Sequence, residues 1–130
     1  MRNTFNEQLE RLHVEMIQMG ATCEDAISAA AEALLKHDQT LAATAEEAER
    51  ELDRKEREVE NLCLKLLLQQ QPVARDLREI SAALKMISDL ERIGDQAADI
   101  AELTRFVQVP EGTGAPHIAD MARAVIAMVT

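Results

Sequence analysis

The sequence contains no tryptophan and no tyrosine, and Phe5 and Phe106 are its only phenyl rings. Aromatic platforms for base stacking are therefore missing. Positive charge is also scarce, with 14 Lys and Arg against 24 Asp and Glu and a formal net charge of -10. Nucleic-acid backbones need basic patches that displace counterions, so non-specific binding to nucleic acid is excluded. The balance suits cation binding, or docking onto a basic protein surface. Cysteine is limited to Cys23 and Cys63. They form no CxxC spacing and read as small buried apolar residues in a reducing compartment. No apolar run approaches the roughly eighteen residues that a membrane span needs. Met1-Arg2-Asn3-Thr4-Phe5-Asn6-Glu7 lacks the apolar stretch of a signal peptide. The expectation is a cytoplasmic chain with no membrane insertion. There is no Gly-rich phosphate loop, no EF-hand loop and no nucleophile–base constellation, so no enzyme is expected.

Glycine and proline, four and three in number, punctuate the chain. Pro72 separates two long helical patterns, and Pro110, Gly112, Gly114 and Pro116 mark a linker. Between these points the strong helix formers Ala, Leu, Glu, Lys, Arg and Met dominate. The first helix is predicted from about Thr4 to His37, with a stripe of Leu9, Leu12, Met16, Met19, Cys23, Ile27, Ala30 and Leu34. Asp38 is the predicted N-cap of a second helix reaching about Gln70, with Leu41, Ala45, Ala48, Leu52, Val59, Leu62 and Leu66 as its stripe. A third runs from Pro72 to about Phe106. Its stripe of Leu77, Ile80, Leu84 and Ile87 then turns polar. Helices this long with short connections fold back on one another, so the predicted fold is all-α, an antiparallel three-helix bundle. A short additional helix starts at His117. Its Met121, Val125, Ile126 and Met128 repeat the spacing of Leu12, Met16, Ile17 and Met19. That weak echo points to a second bundle. The expected organisation is a bundle over 1–108, a linker over 109–116 and the opening helix of a truncated second repeat over 117–130.

Two rows of carboxylates run beside the apolar stripes. The first is Glu49, Asp53, Glu56 and Glu60; the second is Glu91, Asp95 and Glu102, with Asp99 to one side. On the third helix, Glu91 and Asp95 each fall about 20° from Leu84, which puts them at positions facing the partner helices. On the second helix the row flanks Leu52 by about 40–100°. Periodicity alone leaves two readings open. The second helix has many charges at i,i+4 spacing and also reads as a solvated face of weak ion pairs. Glu91 and Asp95 also read as part of a structural network neutralised by Arg92 or another arginine. The metal reading treats both rows as ligands of a cation held between helices, because unpaired buried charge is costly. All-carboxylate donors suit hard ions such as Mg, Mn or ferric iron. A ferritin-like di-iron or metal-storage protein is the alternative. It needs Glu-x-x-His on two helices, and Glu10-Arg11-Leu12-His13 is a single copy.

The segment Leu67-Leu68-Gln69-Gln70-Gln71-Pro72-Val73-Ala74-Arg75-Asp76-Leu77-Arg78, with Leu84-Lys85-Met86-Ile87-Ser88-Asp89-Leu90-Glu91-Arg92-Ile93-Gly94-Asp95-Gln96-Ala97 after it, resembles the PhoU family. The resemblance extends to Phe5, Leu9, Leu12, Met16, Met19 and Gly20, and to Glu49 through Glu60. It implies two three-helix bundles related by an internal repeat, of which this chain holds the first and the opening helix of the second. It implies a negative regulator of phosphate uptake and the phosphate starvation response. Such a regulator docks to the phosphate ABC transporter and a membrane sensor histidine kinase, and is expected to form a homodimer. The family's metal motif, an acidic residue four positions before Asp, matches Glu49 to Asp53 and Glu91 to Asp95. By the same resemblance Glu56, Glu60 and Asp89 are further ligand candidates. The implied ions are iron or zinc clusters, or Mg or Mn.

Overall fold

The computed structural model describes residues 2–69, 74–104 and 115–129. Four helices follow in order: α1 over Arg2–Lys36, α2 over Gln39–Gln69, α3 over Ala74–Leu103 and α4 over Ala115–Val129. The first three pack on one another as the expected antiparallel bundle, and α4 lies mainly on α1.

Two residues reverse the chain between α1 and α2. His37 takes a left-handed backbone conformation with φ 52°. The Asp38 N–H then donates back to the Ala33 carbonyl at 3.1 Å, which closes the end of α1. Asp38 also starts α2. Its Oδ1 accepts from the N–H groups of Thr40 at 2.9 Å and Leu41 at 3.4 Å, the predicted N-cap. The break at residues 70–73, including Pro72, lies outside the described residues. At its far end α3 stops earlier than expected. Thr104 N–H bonds to Ala101 O three residues back, and Thr104 is already a turn. The Gln39 side-chain amide donates to the Thr104 carbonyl at 3.4 Å, tying the start of α2 to the end of α3. Residues 109–114 of the expected linker lie outside the described residues. Ala115 and Pro116 already belong to α4, so that helix starts two residues earlier than expected. Proline fits a first helical turn, where its missing N–H has no partner to lose.

The core changes character along the bundle. Away from the α1–α2 turn it is filled by large side chains, among them Phe5, Leu12, Met19, Leu52, Val59, Leu66, Ile80 and Ile87. Toward that turn it is almost all alanine: Ala26, Ala30 and Ala33 from α1, Ala42, Ala45 and Ala48 from α2, Ala97 and Ala101 from α3. Small side chains allow helix backbones to approach closely at this end. On α4, Ala122, Val125, Ile126 and Val129 rest against the large-residue core, while Met121 and Met128 are exposed.

The apolar line of α3 differs from the expected one. Leu77 is exposed, and Leu84 is only partly buried. The buried line runs Asp76, Ile80, Ala83, Ile87, Leu90, Gly94, Ala97 and Ala101. It is centred about 90° from Leu84. The stripe therefore does not turn polar after Ile87; it continues through Leu90 and then through the small residues Gly94, Ala97 and Ala101. Glu91 and Asp95 flank this line and do not replace it.

At Gly94 the Leu52 side chain of α2 packs against α3. A Cβ built there would run into Leu52 Cδ1, and Leu52 is fully buried. At Gly20 a Cβ would meet nothing within 4 Å. The two helical glycines should therefore respond oppositely to substitution. Gly20→Ala is expected to raise stability by roughly 1 kcal/mol through helix propensity. Gly94→Val is expected to lower it by about 1–3 kcal/mol through overpacking. Urea denaturation in chelator measures both. Equal effects at the two sites would refute the close approach of α2.

Candidate metal centre

The contact at Leu52 and Gly94 sets the distance between two flanks. Glu49 lies three residues before Leu52 on α2. Glu91 and Asp95 bracket Gly94 on α3. Each of these three offers a carboxylate oxygen, and the three atoms lie within 4.8 Å of one another. All three groups remain partly open to solvent.

Their electrostatics follow from crowding like charges beside a core. Glu49 is raised from the ordinary glutamate value of 4.5 to about 7. The main cause is a hydrogen bond in which its protonated carboxyl donates to Asp95. Burial follows, then the charges of Asp95, Asp53 and Glu91. Glu91 is also raised to about 7, first by burial, then by the charges of Asp95 and Glu56, a hydrogen bond to Asp95 and the charge of Asp53. Glu56 is raised by burial and by the charges of Glu60, Asp53 and Asp95, with Arg57 opposing. Every one of these influences on Glu49 and Glu91 disfavours the charged form. No arginine appears among the largest of these influences.

The other expected site residues are distributed around this centre. Asp53 lies within electrostatic reach of Glu49, Glu56 and Glu91 but is ion-paired to Arg57. Glu60 is exposed one turn along α2, where its charge acts on Glu56. Asp89, Asp99 and Glu102 are exposed and outside the group of three. Glu10 and His13, the one Glu-x-x-His, are exposed on α1 and also outside it. Cys23 and Cys63 are buried free thiols, and burial pushes both up to about 11. They behave as core residues, as expected, and Cys23 Sγ points to the Leu90 carbonyl at 3.8 Å. The residue that sequence reasoning missed is Arg57. Its signal was present as Asp53 and Arg57 at i,i+4 spacing on one helix.

The arrangement fits a hard cation. Oxygen ligands sit about 2.0–2.6 Å from Mg²⁺ or Ca²⁺, so two donors of one shell lie within about 5 Å of each other. Three oxygens within 4.8 Å meet that condition with little movement. The donor set is all carboxylate, with neither His nor Cys, which selects Mg, Mn or ferric iron over softer ions. A cation between them would also offset the mutual repulsion that contributes to the raised values of Glu49 and Glu91.

Comparison with known proteins shows the family to which this fold belongs. A family model described as the PhoU domain matches residues 16–104. This chain belongs to the PhoU family. It is 41% identical over 102 residues to a phosphate-specific transport system accessory protein PhoU homolog from Clostridium acetobutylicum, covering 78% of this chain and 47% of that protein. A Synechocystis homolog with the same name is 35% identical over 122 residues, 93% of this chain and 54% of its own length. The crystal structure of PhoU from Pseudomonas aeruginosa superposes with a TM-score of 0.87 at 32% identity. It covers 96% of this chain and 61% of that one. The chain thus spans about half the length of the curated relatives it matches.

The raised values of Glu49 and Glu91 make metal-free stability depend on pH. Between about 4.5 and about 7 the folded chain keeps protons that the unfolded chain releases. The stabilisation from these two groups is therefore full at the acid end and is lost as pH rises toward 8. In chelator, thermal unfolding is expected at a higher temperature at pH 5.5 than at pH 8. The Glu49→Gln/Glu91→Gln double variant should lose most of that difference. A wild-type midpoint that rises from pH 5.5 to 8 would contradict the shifts.

Proposed function

We propose that the chain is a metal-binding, non-enzymatic regulator. It restrains phosphate uptake and phosphate-starvation signalling by docking to the phosphate ABC transporter and its sensor histidine kinase. Two observations support this reading. Its relatives carry the name of an accessory protein of a phosphate-specific transport system. Its own α2–α3 seam gathers Glu49, Glu91 and Asp95 with no counter-charge among the influences that shift the two glutamates. The gathered carboxylates carry the metal half of the proposal.

In this reading Glu49, Asp53, Glu91 and Asp95 are the ligands. Glu56 completes the shell, and Glu60 and Asp89 stand at its edge for a multinuclear cluster. The ion is Mn, Mg or iron, with zinc less suited to an all-oxygen set. A bound ion supplies positive charge that locks α2 to α3 across the Leu52–Gly94 contact. The bundle then presents a fixed surface to a partner. The reading places the chain in the cytoplasm, where those partner surfaces are reached. Among the described residues no helix is long and apolar enough to cross a membrane, so contact with a membrane process goes through docking. We further read residues 1–108 as one repeat, 109–116 as a connection and α4 as the opening helix of a second. Met121 and Met128 leave apolar surface exposed on α4, where a second copy in a homodimer would cover it. Direct binding of free phosphate is not expected, since a chain of net charge -10 gives no favourable field for an anion.

Calorimetric titration with Mn²⁺ tests the metal centre. The Glu91→Ala/Asp95→Ala double variant is expected to abolish tight binding, while its metal-free form gains thermal stability from lost repulsion. Unchanged stoichiometry in that variant would sink the assignment. Docking is tested by pull-down with the cytoplasmic regions of the transporter and of the kinase, in metal and in chelator. Capture of neither, with metal bound, would remove the docking half and leave the metal half standing.

A further inference from the structure

Asp53 has two claims on it. Its Oδ2 accepts a hydrogen bond from Arg57 Nη2, one turn further along α2. Its charge also acts on Glu49, Glu56 and Glu91, so it lies beside the carboxylate cluster. Yet it is not among the three residues whose oxygens converge. Arg57 is itself at the rim of the cluster, because its charge also acts on Glu56. In the conformation that places Oδ2 on the Arg57 guanidinium, neither oxygen of Asp53 joins the converging three, and the guanidinium's positive charge opposes a cation drawn to the same carboxylate.

We infer that Arg57 is an internal competitor for the metal, holding Asp53 away from the cluster until an incoming cation draws Asp53 off and releases the guanidinium at the surface. The inference rests on the metal reading above and concerns its regulation. The exposure of the pair supports an exchange. The side chains of Arg57 and Asp53 are 72% and 40% accessible, so water screens their attraction and a divalent cation outcompetes it. Arg57 sits one turn beyond a liganding position and gives the cluster a cation that yields. Metal occupancy thereby becomes a change in surface charge. A loaded site presents an unpaired arginine on α2; an empty site pairs it with Asp53. Arg57 is in this sense a positioning residue acting through Asp53.

The test is Mn²⁺ titration calorimetry on the metal-free full chain. Arg57→Ala is expected to tighten Mn²⁺ binding about two- to five-fold, the range set by an exposed ion pair. Arg57→Lys keeps a partner for Asp53 and should remain near wild type. Arg54→Ala removes the same charge from a neighbouring exposed position whose influence falls on Glu47 instead, and should tighten binding less. In an Asp53→Asn background, removing Arg57 should do no more than removing Arg54. Equal effects of Arg57→Ala and Arg54→Ala would overturn the inference, since bulk electrostatics would then explain both. So would a full Arg57→Ala effect that survives in Asp53→Asn. A wild-type chain that takes up no Mn²⁺ overturns the metal reading itself. That failure is distinct, because no variant in the series would then give a binding signal.

Discussion

The close approach of α2 to α3 at Leu52 and Gly94 is the constraint on which the site depends. A side chain at position 94 would hold the helices apart. Its absence lets the fully buried Leu52 enter the seam. Glu49 on one helix and Glu91 and Asp95 on the other are then brought within reach of one another. The glycine gives up about 1 kcal/mol of helix propensity relative to alanine. A bundle designed for stability alone would not do so beside three carboxylates. Local departures of this kind are expected at functional positions.

The cluster is destabilising in itself, and its location limits the damage. Fully buried carboxylates would carry a desolvation penalty of several kcal/mol each. At the flank of the core they keep part of their hydration and take up protons, which is why Glu49 and Glu91 move to about 7. The rest of the bundle supplies the compensation. The large-residue half of the core and the half-buried ion pair of Lys55 with Glu15, at 2.6 Å, fix α2 against α1 on the opposite side. The site is thus backed by α1, whose packing and ion pair oppose a movement of α2 away from α3.

The taper of the core links this site to the chain's other surfaces. The alanine end lets three helices approach at the α1–α2 turn, where Asp38 and Gln39 pin the geometry. The site sits where alanine gives way to leucine. On the other side of the bundle, an apolar cavity of about 330 Å³ runs between α1, α3 and α4. Ile27, Ala30, Ile93, Ala97 and Val125 are among the residues that line it. Residues of one α3 segment therefore serve both faces. Gly94 and Ala97 face the other helices, while Glu91 and Asp95 turn toward the carboxylate cluster.

Much of the fold was legible in the sequence. Three helices, the Asp38 cap and the acidic stripe beside Leu52 follow from spacing, because a helix of fixed pitch turns sequence intervals into faces. The α3 line was not legible. Counting apolar residues selected Leu77 and Leu84, whereas the buried line passes through Gly94, Ala97 and Ala101. Small residues carry almost no hydrophobic signal, and what buries them is the partner helix. The sequence by itself therefore determined which acidic residues share a face of each helix and that Asp53 has Arg57 within one turn. Only the tertiary structure decided that Glu49, Glu91 and Asp95 meet while Asp89 and Glu102 stay in solvent. The physical reason is that convergence depends on the rotation and separation of two helices, and those are set by how Leu52 packs into the space left at Gly94.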